Sequence, residues 1–213
     1  MRRAFADTEL GQIHYAETGA GDPVLFLHET PRSWDQFRDV LPLVGQQRRA
    51  IAMDTVGFGD SCDPRDDAIT IEAYAEGALM LIDQLGLERV DLVGHHTGGV
   101  VAIEVAAAAP ERVGTLVLSS TPLVESAFRE AHEGKPLGVD EAERSAGGEH
   151  LTELWGQRLP HYPDDSAELL ERYLIDALKS EEHAAGGHAA VTAYEMEPRL
   201  ELVRSEVHLI IGG

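Results

Sequence analysis

Val93-Gly94-His95-His96-Thr97-Gly98-Gly99 is the stretch that decides the fold. Ahead of it, Val90 to Val93 reads as a buried strand. Behind it, Val100 to Ala109 is small and apolar, as a helix packed tightly on a sheet would be, and Pro110 stops it. A strand that turns this sharply into a helix brings neighbouring backbones together. Small residues are then needed two positions either side of the central one. Gly94 and Gly98 have that spacing and place His96 at the centre, in a strained conformation that projects its side chain out of the turn. Centring the turn on Thr97 would put His95 where a small residue is needed.

The alternation of buried strand and helix continues on both sides. Val24-Leu25-Phe26-Leu27 is an unbroken apolar run ending in His28, as in a strand buried on both faces of a parallel sheet. Arg49 to Asp54 is a second such strand and leads into a loop with Gly57, Gly59 and Ser61. Thr70 is the expected N-cap of a helix with Ile71, Tyr74, Ala75, Ala78, Leu79, Ile82 and Leu85 at helical spacing, and Gly86 closes it. Val113 to Leu118 and Val207 to Ile211 are further strands. Arg2 to Asp7 and Gly11 to Glu17 alternate around a polar break, which predicts an opening hairpin, and Gly19 to Pro23 marks the turn after it. These are βαβ units and imply a mostly parallel sheet with right-handed crossovers.

From Leu123 to about Glu201 the pattern changes to polar, helix-forming sequence, with an amphipathic helix expected over Ala167 to Ile175 and an alanine-, glycine- and histidine-rich stretch over Glu181 to Ala193. The expected organisation is a core over 1–122, a helical insertion over 123–201 and a return to the sheet over 202–213. An insertion so placed sits over the C-terminal edge of the sheet, where open α/β sheets bind ligands.

The 213 residues support one substantial core, and 43% of them are hydrophobic. Against 17 basic residues stand 38 acidic ones, a formal charge of −21. Such a surface repels phosphate backbones and anionic lipid, so neither nucleic acid nor a membrane is an expected partner. Cys62 is the only cysteine, which rules out an internal disulfide and a thiolate zinc site. Met1 to Asp7 lacks the apolar stretch of a signal peptide, and no apolar run approaches the roughly 20 residues that span a bilayer. A cytoplasmic location is the expectation.

In its strand–turn–helix setting, Gly94-His95-His96-Thr97-Gly98 resembles the nucleophile elbow of the α/β hydrolases, Gly-x-nucleophile-x-Gly. Leu27-His28-Glu29-Thr30-Pro31 is similar to the family's His-Gly-x-Pro loop after the third strand. Met53-Asp54-Thr55-Val56-Gly57-Phe58-Gly59-Asp60-Ser61 resembles its Asp-x-x-Gly-x-Gly-x-Ser loop after the fourth. Ala109-Pro110-Glu111-Arg112-Val113 resembles the usual exit from the helix behind the elbow. The likeness covers nearly the whole core, with a cap of the sort seen in haloalkane dehalogenases, epoxide hydrolases and related esterases and lactonases. It implies a hydrolase of a small, largely apolar ester, lactone, epoxide or haloalkane, with no cofactor and no metal. By the same match the N–H groups of Thr30 and Thr97 form the oxyanion hole, and His28 and His95 support the loop and the elbow. Trp34, Trp155 and Tyr162 are the expected pocket-lining residues.

Three departures bear on function. His96 stands where the family has serine, aspartate or cysteine, and three roles are open to it: a base that activates water, a covalent nucleophile, or a relic of lost chemistry. Glu29 replaces the glycine of the oxyanion loop and brings a carboxylate that could orient a histidine. In the family, the strand matching Val207 to Ile211 is followed by an acid, a last strand and a base histidine, so the resemblance implies that the last strand and helix are missing from these 213 residues. Ser119-Ser120-Thr121-Pro122 offers no carboxylate in their place. The competing expectation is an inactive or truncated member that keeps its pocket to bind a small ligand. An open sheet edge would also make a homodimer an expected assembly.

Overall fold

The computed structural model describes residues 1–65, 69–133, 135 and 142–211. A seven-stranded sheet forms its centre, in the order β1-β2-β4-β3-β5-β6-β7. The opening hairpin is β1 (Arg2–Thr8) and β2 (Gly11–Thr18), and β2 runs antiparallel to β4 (Arg49–Met53). The rest is parallel: β3 (Pro23–Leu27) lies between β4 and β5 (Val90–His95), followed by β6 (Val113–Ser119) and β7 (Glu206–Ile210). The strands end within two residues of where the sequence placed them. Gly212 and Gly213, the close of the expected C-terminal segment, lie outside the described residues.

Alternation along the strands builds two apolar layers. Leu25 and Leu27 of β3, with Ile51 and Met53 of β4, face α2 (Ile71–Gln84) and α3 (Thr97–Ala108). Each such fully buried side chain contributes roughly 1.5–3 kcal/mol by leaving water. Val24, Phe26, Ala50 and Ala52 point the other way, against Trp34, Phe37 and Leu41. That second layer rests on elements with no clear periodicity in the sequence: a 3-10 turn over Trp34–Phe37 and the one-turn α1 (Leu41–Val44). Ser33 starts the 3-10 turn by accepting the Asp35 N–H at 3.2 Å. Thr70 caps α2 in the same way, its hydroxyl accepting the Ala73 N–H at 3.1 Å.

Between β6 and β7 the described residues form five α-helices: α4 (Ser126–His132), α5 (Glu149–Arg158), α6 (Ala167–Lys179), α7 (Glu181–Ala193) and α8 (Met196–Leu200). They form a cap, and α6 is joined to the loops at the C-terminal ends of β3 and β4. The Asp176 carboxylate accepts from Arg32 Nε at 2.9 Å and Ser33 Oγ at 2.7 Å. Ser180 Oγ lies 3.0 Å from the Pro31 carbonyl, Arg172 Nε donates to Asp35 at 2.6 Å, and Lys179 reaches Asp60 at 2.6 Å. A second anchor holds α8 and α3 together, where the buried Glu104 accepts from Arg199 twice and from the Tyr194 hydroxyl, all at 2.7 Å. Every residue of β7 is exposed, Leu209 by 67%. No helix among the described residues is long and apolar enough to cross a membrane.

Candidate active site

The strand β5 runs into α3 through a single strained residue. His96 has φ 48° and ψ −113°, a conformation that costs a side-chain-bearing residue on the order of 1–3 kcal/mol. The surrounding structure holds it there. Its N–H donates to the Ser119 carbonyl at 2.9 Å, tying the turn to the end of β6, and its carbonyl accepts the Gly99 N–H at 2.9 Å to start the helix. The close approach that requires glycine is visible on both sides. A Cβ on Gly94 would run into the Gly98 backbone, and one on Gly98 into the carbonyl oxygens of Leu27 and His28. The N-terminus of α3 is thereby pressed against the loop that follows β3.

In that loop His28 is buried, and its hydrogen bonds fix its tautomer. Thr55 N–H donates to Nε2 at 3.0 Å, so the ring proton sits on Nδ1, 2.8 Å from the Glu29 carbonyl. Burial holds its pKa below the usual imidazole value, against the opposing charge of Asp54. Glu29 is held at both ends by one side chain: its N–H donates to Gln36 Oε1 at 3.0 Å, and Gln36 Nε2 donates to Glu29 Oε1 at 2.8 Å. The other carboxylate oxygen lies 3.7 Å from His95 Nε2, while His95 Nδ1 is 3.0 Å from Ser119 Oγ. Glu29 and His95 of the elbow are thus brought together.

Thr30 and Thr97 are both buried, and no acceptor among the described residues takes either backbone N–H. Thr97 Oγ1 is also buried without a hydrogen-bond partner. Buried polar groups left unpaired are rare, and those at the N-terminus of a helix favour an anionic guest. His96 itself is exposed, so the cap leaves the elbow open to solvent rather than closing over it. Protein atoms packed around the ring lower its pKa, Glu29 opposes this, and His95, His188 and Arg158 add to it. Because water still reaches the ring, that depression is limited.

The three expected pocket aromatics separate. Trp155 and Tyr162 pack with Leu170, Tyr173 and Ala177 in a small core within the cap. Burial raises the Tyr162 hydroxyl pKa, opposed by the charge of Arg32, while Glu29 adds a smaller upward push. Trp34 sits in the second apolar layer of the sheet, its N–H donating to Asp54 at 2.7 Å and its ring under the guanidinium groups of Arg3 and Arg38. Asp54 braces this region, accepting also from the Asp60 N–H at 2.9 Å and contacting His14 Nδ1 at 2.8 Å. His14, Asp54 and Asp60 have ligand atoms within 4.8 Å of one another, the one such group of three among the described residues. Arg3 and Lys179 already sit on Asp60, and Arg3 Nε donates to His14, so the cluster is an ion-pair network rather than an anionic cage.

Gln36, Asp176, Arg158 and His188 carry no motif signal, and the sequence reading passed over them. Each reaches the site only through tertiary packing.

Comparison with known proteins agrees with this geometry. Residues 22–140 match the family described as alpha/beta hydrolase fold. The chain is 37% identical over 105 residues to 2-hydroxymuconate semialdehyde hydrolase of Pseudomonas sp. (strain CF600), covering 48% of this chain and 37% of that protein. It is 33% identical over 115 residues to haloalkane dehalogenase 2 of Mycobacterium tuberculosis, covering 54% and 40%. The matched segment therefore spans about two fifths of the length of these relatives. A solved hydrolase from Pseudomonas aeruginosa PA01 superposes with a TM-score of 0.79 at 24% identity, over 99% of this chain and 80% of its own. With more than half its length matched, the chain belongs to the α/β hydrolase fold family.

Proposed function

We propose that this protein is a hydrolase of a small, largely apolar ester or lactone, with His96 as general base. Epoxides and haloalkanes, acted on by relatives of this chain, are the neighbouring substrate classes. The observation that carries the reading is the strained His96 beside two buried, unclaimed N–H groups. Water adding to an acyl carbon generates an oxyanion, and two backbone donors at a helix N-terminus are suited to hold it. Displacement of halide from a saturated carbon builds no such oxyanion, which is why esters and lactones come first.

Packing lowers the His96 pKa, which favours the neutral form that can accept a proton. The nearby charge of Glu29 opposes the loss of basicity and stabilises the imidazolium once it forms. Thr30 and Thr97 would receive the carbonyl oxygen. The test is a hydrolysis screen over ester, lactone, epoxide and haloalkane substrates with the His96→Ala variant alongside. A general base of this kind contributes about 10²–10⁴-fold, so turnover should fall by at least ~100-fold. Turnover unchanged in His96→Ala would overturn the assignment. A folded protein that binds such esters without cleaving them would instead be a small-ligand binding protein.

A further inference from the structure

β5 and β6 end side by side, and their last residues carry a histidine and a serine. In the parallel register His95 pairs with Ser119, so alternation along the two strands puts both side chains on one face of the sheet. The contact is direct: His95 Nδ1 lies 3.0 Å from Ser119 Oγ. The other ring nitrogen, Nε2, lies 3.7 Å from Glu29 Oε2. Gln36 occupies Glu29 Oε1 at 2.8 Å and so leaves Oε2 to the ring. Hydroxyl, imidazole and carboxylate thus follow one another through the two nitrogens of a single ring. The carboxylate favours the tautomer with its proton on Nε2, which leaves Nδ1 free to accept the Ser119 O–H. A solute can reach the group, since Ser119 is half-buried and the side chains of His95 and Glu29 are 29% and 23% exposed.

We propose that Ser119, His95 and Glu29 form a second reactive group beside the elbow, a serine nucleophile that takes acyl groups from accessible carboxylic esters. A nucleophile bonded to a base that a third group orients is recognised by that geometry and not by its place in the sequence. The role is independent of His96: here the serine attacks the acyl carbon, whereas His96 activates water. The Ser119 proton passes to His95 Nδ1 as Oγ bonds to the acyl carbon and the carbonyl π pair moves onto its oxygen. As that pair returns, the bond from acyl carbon to alkoxy oxygen breaks, and the leaving oxygen takes the proton from His95. An alcohol departs and the acyl group stays on Ser119. Water then repeats the sequence. One of its protons goes to His95, its oxygen bonds to the acyl carbon, and Ser119 Oγ leaves with that proton. Glu29 keeps its charge throughout and stabilises the imidazolium in both halves.

Ser120 supplies the comparison. It is the next residue, exposed and without a histidine partner among the described residues, so it reports the reactivity of an ordinary hydroxyl.

The experiment treats the full chain with an alkyl fluorophosphonate, which bonds its phosphorus to an activated serine oxygen and releases fluoride and the serine proton. Peptide mass spectrometry should find the adduct on Ser119 and not on Ser120, and Ser119→Ala should abolish it. In His95→Gln the labelling rate should fall on the order of 100-fold, and in Glu29→Gln by at least ~10-fold. Glu29→Gln also serves as the deciding variant should His95→Gln fail to fold. An adduct shared equally by Ser119 and Ser120, or one that forms as fast in these variants, would overturn the proposal. An unlabelled Ser119 in the folded chain overturns it too, and ester turnover lost in His96→Ala would then leave the hydrolase reading standing. A Ser119 adduct that depends on His95, in a chain that turns over no ester or lactone, upholds the nucleophile and removes the hydrolase reading.

Discussion

Replacing Asp176 with alanine tests whether the cap holds the oxyanion loop in place. Asp176 and Arg32 each have only 7% of the side chain exposed, and the carboxylate is the shared acceptor for Arg32 and Ser33. Burial raises its pKa above the usual carboxylate range, with the Arg32 charge and the hydrogen bonds of Arg32 and Ser33 opposing. Desolvation thus outweighs attraction, and an apolar pair of similar volume would lose little. Removing only the acid is different, because Arg32 stays buried with its charge unbalanced, at a cost of about 3–5 kcal/mol. At about 2–4 °C per kcal/mol for a chain of this size, Asp176→Ala should melt roughly 6–20 °C below the wild type. The double variant Arg32→Met/Asp176→Leu should recover most of that loss. Hydrogen exchange gives the local readout: the amides of Arg32 and Gln36, bonded to the Glu29 and Ser33 carbonyls at 2.8 and 3.0 Å, should exchange faster in Asp176→Ala. A single variant melting within about 2 °C of the wild type, with those amides still protected, would refute the reasoning.

Two further outcomes follow from groups nearer the elbow. His28 has a folded-state pKa below its unfolded value of about 6.5, so the unfolded chain binds the proton more readily. Its contribution to stability is complete above that value and is lost as pH falls through the folded pKa; urea titrations at stepped pH should show this, and His28→Gln should flatten it. Gly98→Ala forces a methyl group into the carbonyls of Leu27 and His28, which should cost at least ~1–3 kcal/mol in a urea melt. A Gly98→Ala protein as stable as the wild type would show that the elbow and the loop after β3 are not in contact.

Much of the fold was legible because burial leaves a local trace. Val24 to Leu27 had to be covered on both faces, and Gly94 and Gly98 are small because backbones meet there. Both features depend on neighbours in sequence. The segment from Pro31 to Val44 was not legible, since a 3-10 turn and a single helical turn carry too few residues to show a period. Trp34 illustrates the consequence: sequence offered it as pocket or packing, and the structure puts it under the sheet against Asp54. The polar seam was invisible for another reason. Asp176 lies 144 residues from Arg32 and 143 from Ser33, and no spacing rule joins charges that far apart. Gly187 was hidden in a stretch read for composition alone, and only the structure shows that Thr30 lies against it. Glu29 fell between these cases: the substitution was plain, but only Gln36 shows how its carboxylate is aimed.

The seam between α6 and the loop after β3 makes the placing of Thr30 depend on the cap. Arg32 and Ser33 are two and three residues from Thr30, and both are bonded to the helix through one carboxylate. Any displacement of α6 is therefore passed to the loop that bears the Thr30 N–H, so the aim of that donor depends on a helix about 144 residues further along the chain.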